Sequence, residues 1–232
     1  MAGAPAMNDR VKANVLLHGI AVPLLLLAGV LFAAGRLSYW QGCVYGGSNF
    51  LILVVNYLVL RGRPDLIRER LSPGKGTKWW DKVYFALSTQ LFFAVIVLAA
   101  LDAGRFRWGP AVPLWAYLLA CAVYALGQTI HLWAKATNRW FATVVRIQKD
   151  RGQTVCMSGP YRFVRHPGYV GGLLFMLASP LLLGSWLSLI PQAAAAALLV
   201  LRTYLEDRTL QSELPGYAEY AQKVRHRLCP IW

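Results

Sequence analysis

An all-α, polytopic integral membrane protein with about six membrane segments is the fold class that three observations predict for this 232-residue chain. Hydrophobic residues make up 57% of it and mean hydropathy is +0.43, above the roughly 45–50% apolar content of a soluble domain. The apolar residues gather into six runs, near 13–34, 39–60, 83–101, 112–134, 169–184 and 186–205. The basic residues fall almost entirely in alternate gaps between those runs.

Residues 1–9 read as a flexible leader. No cleavable signal peptide is expected, because the first apolar run is too long and no small-residue cleavage pattern follows it. The first four runs each hold about 19–23 residues, enough to cross a hydrocarbon core of about 30 Å. Runs one and two form a hairpin closed by Gly35-Arg36-Leu37-Ser38. The charged linker after run two carries the loop-type stretch Ser72-Pro73-Gly74-Lys75-Gly76. Within it Pro64 to Leu71 fits a short amphipathic surface helix. Trp79, Trp80 and Tyr84 then mark an interfacial belt, as Trp108 and Trp115 do on the opposite side. These aromatics read as anchors rather than ligand contacts.

After run four the chain turns polar. The alternation around 143–149 fits either a short strand or an amphipathic helix. Such a segment sits at membrane depth only if it is buried in protein or lines a cavity. The fifth run is about 16 residues, near 24 Å at 1.5 Å per residue. Gly184-Ser185 joins it to the sixth, so the two read as a tight C-terminal helical hairpin. The last helix passes from Leu201 into Arg202-Thr203-Tyr204-Leu205-Glu206-Asp207-Arg208 with no breaker. Beyond it, Tyr217, Tyr220 and Val224 at helical spacing predict a tail that packs back as a lid. The chain divides into membrane spans one to four (1–134) and a catalytic region (135–232) with a cytoplasmic pocket.

The net charge of +14 would suit nucleic acid if it formed a soluble patch. Its distribution says otherwise. Of 24 Lys and Arg, only Arg36, Arg105 and Arg107 lie in the alternate loops. That asymmetry predicts cytoplasmic termini and a cytoplasmic 135–168 segment, in the plasma membrane if the source is bacterial. Anionic headgroups account for the basic excess, and no nucleic-acid partner is expected. Cys43, Cys121, Cys156 and Cys229 are widely spaced with no CxxC, so neither a disulfide framework nor a metal site is expected. His18 and His131 read as packed polar residues and His226 as solvent-facing.

The segment Gly159-Pro160-Tyr161-Arg162-Phe163-Val164-Arg165-His166-Pro167-Gly168-Tyr169 is cationic and aromatic between apolar runs. Breakers at both ends prevent one continuous helix. A membrane chain that keeps such polar groups at a membrane edge uses them. Downstream, Arg202 and Glu206 are four apart and share a helix face. Taken alone, that pair also reads as an ordinary terminal salt bridge, and Arg162 and Arg165 as headgroup contacts.

These residues, with the following apolar hairpin and a tail carrying Arg227-Leu228-Cys229-Pro230, resemble the isoprenylcysteine carboxyl methyltransferase family over roughly 135–232. Its members are integral membrane enzymes that use S-adenosylmethionine. The resemblance implies that Gln148, Gln153, Thr154, Val155, Cys156, Tyr161, His166, Pro167, Gly168 and Tyr169 contact the cofactor. It implies that Glu206 reaches the cofactor from the last helix and that Arg202 faces the methyl acceptor, these two being the catalytic pair. The family usually has His where this chain has Gln153. An amide donates and accepts hydrogen bonds but cannot carry a proton.

The chemistry is coherent with those roles. Tyrosine faces suit a sulfonium cation. Arg162 or Arg165 would pair with the cofactor carboxylate, and Glu206 with its ammonium or ribose. A carboxylate acceptor needs no general base, only alignment and desolvation, and a guanidinium fork suits it. The implied activity is that of a protein-S-isoprenylcysteine O-methyltransferase-like enzyme. Its acceptor would be a prenylated or lipid-like peptide or small molecule, met among membrane lipids. Three other readings stand beside it: a phospholipid amine N-methyltransferase, an NADPH-dependent sterol-type reductase, and an inactive lipid-binding membrane protein.

Overall fold

The computed structural model describes residues 9–71 and 75–228, and side chains from Ala21 onward with a few gaps in the 64–71 helix. Helix α1 (Asp9–Ala34) and helix α2 (Trp40–Leu60) form the first hairpin. Gly35, at φ +66°, makes its turn in the left-handed region that favours glycine. Tyr39 is fully buried at the start of α2, against Val30, Ala34, Ile96 and Ala100. Elsewhere α2 turns leucines outward, with Leu51 62% exposed. In a chain this apolar, such a face is satisfied by lipid tails.

The short helix α3 (Pro64–Leu71) lies in the basic linker and seats Leu66 at 0% exposure. Helix α4 (Trp79–Ala99) continues through a π-helical stretch at Ala100–Phe106, which ends on Arg107 at φ 55°. Helix α5 (Leu114–Thr137) crosses helix α6 (Pro167–Leu182) closely. The approach is set by two glycines. A Cβ on Gly171 would lie 2.4 Å from the Gly127 carbonyl oxygen, so only a bare backbone fits.

Gly184 at φ +77° turns the chain from α6 into helix α7 (Leu189–Glu213). Ser185, fully buried, donates to Asp102 at 2.6 Å and ties this turn to the first turn of the π-helical stretch. The α7 helix passes Arg202 unbroken, as its lack of Gly and Pro beyond Pro191 allows. Helix α8 (Tyr217–Lys223) then folds back. The hairpin and the returning tail match the pattern expected for them. Helices of both sequence regions share one bundle: α5 packs on α6, and α4 on α7.

Among the described residues four helices are long and apolar enough to cross a membrane: Trp40–Leu60, Trp79–Phe106, Leu114–Thr137 and Leu189–Glu213. The α6 helix and the Ala21–Ala34 stretch of α1 are apolar but shorter. Of the six expected spans, four meet this length among the described residues; α6 has only 16 residues, and α1 is described with side chains only over Ala21–Ala34. Among the described residues there is no strand. The 143–149 stretch is neither strand nor α-helix; it bends at 143–144 and leads into a 3-10 turn at Lys149–Arg151. Trp79, Trp108 and Trp115 are 76%, 57% and 68% exposed, as interfacial anchors would be. Ser72, Pro73, Gly74 and Cys229 and the leader up to Asn8 lie outside the described residues, as does the side chain of His18.

Candidate active site

The basic ends of α4, α5, α6 and α7, the 138–166 connection and α8 enclose a cavity of about 270 Å³. Gln148, Gln153, Thr154, Val155, Cys156, Tyr161, His166, Gly168, Tyr169, Arg202 and Glu206 all line it. Pro167 does not. It is fully buried as the first residue of α6, where its fixed φ and missing N–H suit a helix start.

Two glutamines shape one wall. The Gln153 side-chain oxygen accepts the Gln148 backbone N–H at 2.7 Å, and the Gln153 backbone N–H donates to the Gln148 carbonyl at 3.2 Å. Gly152, at φ +65°, makes this tight return possible. The buried Gln148 side chain donates to the Trp140 carbonyl at 2.8 Å. Gln148 is thus committed to holding the turn, and Gln153 supplies an acceptor that an imidazole nitrogen would equally provide.

Asp207 organises the opposite wall. Fully buried on α7, it accepts from Arg165 Nε (2.8 Å) and Nη2 (3.0 Å), Tyr217 (3.0 Å), Gln211 (2.7 Å) and Arg227 (2.8 Å). His166 Nε2 lies 3.2 Å from the same carboxylate. Arg165 Nη1 also donates to the Val224 and Arg225 carbonyls, at 2.9 and 2.8 Å. These bonds stitch the tail to the Arg165-His166 loop, joined by backbone bonds to the carbonyls of His226 and Arg227. Four of the five Arg165 N–H groups are used here, and Arg162 is exposed away from the cavity. Arg162 therefore lies off the cavity, while Arg165 lines it with one N–H group beyond these bonds.

Tyr161 is buried, receives the Asn138 amide at 3.3 Å, and accepts Tyr220 on its carbonyl at 2.7 Å. Burial pushes its phenol well above the usual range, and burial plus the nearby Asp207 does the same to Tyr217. Both stay protonated at any physiological pH, so both remain hydrogen-bond donors. Tyr169 donates to Glu206 and lies parallel to the His166 ring, with centroids 5.7 Å apart. Beside it, a Cβ on Gly168 would come within 2.6 Å of Phe141. The bare glycine lets the 141 ring close the cavity floor.

Arg202 does not pair with Glu206. Its Nε donates to Asp81 on α4 at 2.7 Å and its Nη2 to the Thr143 carbonyl at 2.7 Å. The guanidinium sits 4.6 Å from the Tyr84 ring and 5.4 Å from that of Tyr169. Asp81 also accepts the Val145 N–H at 2.7 Å. Tyr84, expected as a membrane anchor, instead lines the cavity. Asp81 was not a candidate at all, yet a lone acid at the head of an apolar span is the signal that marks it. His131 lines the cavity too, its Nδ1 2.8 Å from the Gly168 carbonyl. Among the described residues no cluster of His, Cys, Asp and Glu is arranged to hold a metal ion.

The arrangement offers aromatic faces, a carboxylate and amide groups on one side, and a guanidinium on the other. The model of the isoprenylcysteine carboxyl methyltransferase family matches residues 118–212, the stretch that supplies α5, α6, α7 and most of this site. Over that stretch the chain resembles the family. A relative 35% identical over 131 residues is the cobalt-zinc-cadmium resistance protein CzcN of Cupriavidus metallidurans, the match covering 55% of this chain and 56% of the relative. A rice protein (Oryza sativa subsp. indica) described as a probable protein-S-isoprenylcysteine O-methyltransferase is 32% identical over 111 residues, covering 44% of this chain and 56% of its own. The chain thus spans about half the length of these relatives. The eukaryotic intramembrane Ras methyltransferase ICMT shares the fold, with a TM-score of 0.55 at 19% identity, over 93% of this chain and 76% of that one. Members of the isoprenylcysteine carboxyl methyltransferase family are methyltransferases, and the four apolar helices among the described residues of this chain support an integral membrane protein.

Proposed function

We propose that this protein, like the family it resembles, moves a methyl group from S-adenosylmethionine to the carboxylate of an isoprenylcysteine-like or other amphiphilic acceptor. The observation that carries the proposal is the convergence of the Gln148–Cys156 turn, Tyr161, Tyr169, Glu206 and Arg202 on one cavity, from segments up to 58 positions apart. The donor set fits the cofactor: tyrosine faces and the Glu206 carboxylate favour a sulfonium cation, and amide and phenol groups suit adenine and ribose. When bound, the cofactor supplies an electrophilic methyl group.

The chain's own residues supply position. The Gln148–Cys156 turn, Tyr161, His166, Gly168 and Tyr169 would hold the cofactor, with Glu206 beside them and Pro167 fixing the start of α6. Arg202, clamped by Asp81 and Thr143, is oriented before any acceptor arrives, which lowers the cost of aligning the nucleophile. The tail and the aromatic walls exclude water, and an ionised carboxylate then attacks without a base. The 21 basic residues on one set of loops support termini and cavity on the cytoplasmic side.

Detergent-purified protein should bind S-adenosylhomocysteine and transfer labelled methyl groups to N-acetyl-S-farnesylcysteine. Absence of both would sink the proposal. Transfer to a phospholipid amine instead would keep the cofactor and replace the acceptor.

A further inference from the structure

The charges around the cavity do not balance, and the imbalance is local. Arg202 is matched by Asp81, Arg146 by Glu69 at 2.8 Å and Asp150 at 2.7 Å, and Arg165 by Asp207. Glu206 takes the Tyr169 hydroxyl. Each of these carboxylates is therefore engaged, and none is engaged by Arg70.

Arg70, on α3, lines the same cavity. Its Nη1 is buried and has no hydrogen-bond partner among the described residues. The guanidinium lies 5.6 Å from the Phe141 ring, the ring that also faces His131 at 5.5 Å. Behind it stands Lys135 of α5, only 8% exposed, whose ammonium donates to the neutral Asn56 amide at 2.8 Å. The two cations are near enough to oppose one another. Burial lowers the Arg70 pKa, with no carboxylate among the described residues to offset it. His131 adds no charge balance: its Nδ1 is taken by the Gly168 carbonyl.

A buried cation without hydrogen bonds or a counter-ion is costly. Arg70 at the cavity, with the ammonium of Lys135 held only by a neutral amide close by, makes a site for an anion, and a guanidinium fork selects a planar or tetrahedral oxyanion. We infer that the space beside Arg70 and Lys135 is an oxyanion subsite for the carboxylate or phosphate of a membrane amphiphile. It is separate from the Arg202 clamp, because Arg202 arrives already neutralised by Asp81. The Thr143 hydroxyl donates to the Arg70 carbonyl at 3.4 Å while the Thr143 carbonyl accepts Arg202. The strap at 141–143 therefore runs between the two cationic positions. This deepens the proposed function, on whose cavity it rests: the attraction for an anionic amphiphile comes from Arg70 and Lys135, and Arg202 orients.

The test uses the full chain in detergent and four probes: N-acetyl-S-farnesylcysteine, its uncharged methyl ester, phosphatidylglycerol and phosphatidylcholine. Binding is read for wild type, Arg70→Gln, Arg70→Lys and Lys135→Met, beside S-adenosylhomocysteine affinity. The expected result is a loss of tenfold or more for one anionic probe in Arg70→Gln and a smaller loss in Arg70→Lys. The ester, phosphatidylcholine and S-adenosylhomocysteine should stay within twofold. Loss on the farnesylcysteine assigns the subsite to the acceptor carboxylate, and loss on phosphatidylglycerol assigns it to a headgroup. Should Arg70→Gln not fold, Lys135→Met carries the same expectation. Equal affinities for both anionic probes across the variants, or no anionic preference in wild type, would overturn the inference. Failure of the wild type to bind S-adenosylhomocysteine would instead count against the methyltransferase reading and leave this comparison intact.

Discussion

Arg202 of α7 is held by Asp81 of α4, a residue 121 positions earlier in the chain, at 2.7 Å. Both are buried, Asp81 completely. The pair does more than cross-link two helices, because Asp81 also takes the Val145 N–H and Arg202 the Thr143 carbonyl. One ion pair thus fixes α4, α7 and the strap over the cavity.

Removing one partner of such a pair strands the other. Asp81→Asn leaves the guanidinium buried without a counter-charge and should cost about 3–5 kcal/mol. Arg202→Lys keeps a charge for Asp81 but cannot reach Thr143 in the same fork. It should leave S-adenosylhomocysteine affinity near wild type while cutting methyl transfer sharply. Thermal unfolding in detergent reads the first effect, and turnover beside cofactor binding reads the second. Equal turnover in Arg202→Lys would return Arg202 to a purely structural role.

Asp207 is the corresponding hub for the tail. Asp207→Asn keeps the shape but removes the charge that Arg165, Arg227 and His166 share. The 224–228 segment should detach, since its carbonyls are held by Arg165. Limited trypsin digestion reads this directly: cleavage at Arg225 and Arg227 should speed up severalfold. Digestion at the wild-type rate would show that Tyr217 and Tyr220 alone seat the tail.

The contrast between these two acids explains what was legible in the sequence. Asp207 sits five positions from Arg202 in a recognisable stretch, so its neighbourhood was readable even though its role was not. Asp81 lies in a region where the family resemblance ends, and its partner is on another helix. Linear spacing carries no record of a contact across 121 positions, so the i,i+4 pairing of Arg202 with Glu206 was the natural local reading. Tertiary geometry overrode it. The apolar runs, the Gly184 turn and the returning tail were legible because each follows from local composition. The 143–149 stretch was not, because its conformation is set by the bonds that Asp81 and Arg202 make to it.

Glycine placement gives a test of the helix crossing. Gly171→Ala would put Cβ 2.4 Å from the Gly127 carbonyl oxygen and 2.6 Å from the His131 nitrogen. Both are backbone atoms and cannot rotate away. Separation of α5 from α6 should cost about 1–3 kcal/mol. Gly47→Ala on α2 has nothing within 4 Å and should leave the unfolding temperature unchanged or slightly raised. If both variants unfold at the wild-type temperature, the close crossing is not what holds the pair.

Gln153 offers a pH experiment with a definite sign. In the wild type its amide oxygen accepts the Gln148 N–H at 2.7 Å, and an amide does not titrate. In Gln153→His a neutral ring nitrogen would accept the same N–H, so the turn and cofactor affinity should be preserved at pH 8. Protonation converts that nitrogen into a donor facing a donor. The variant should therefore lose S-adenosylhomocysteine affinity as pH falls through about 6.5, the ordinary histidine value. A pKa displaced downward by the bond to Gln148 would move the loss to lower pH, never higher, because the bond favours the neutral ring. Wild-type affinity should be flat over the same range at this position. Titrating both proteins from pH 5 to pH 8 decides it: parallel curves would remove residue 153 from the cofactor wall, and a selective acid-side loss would tie the Gln148 turn to cofactor binding.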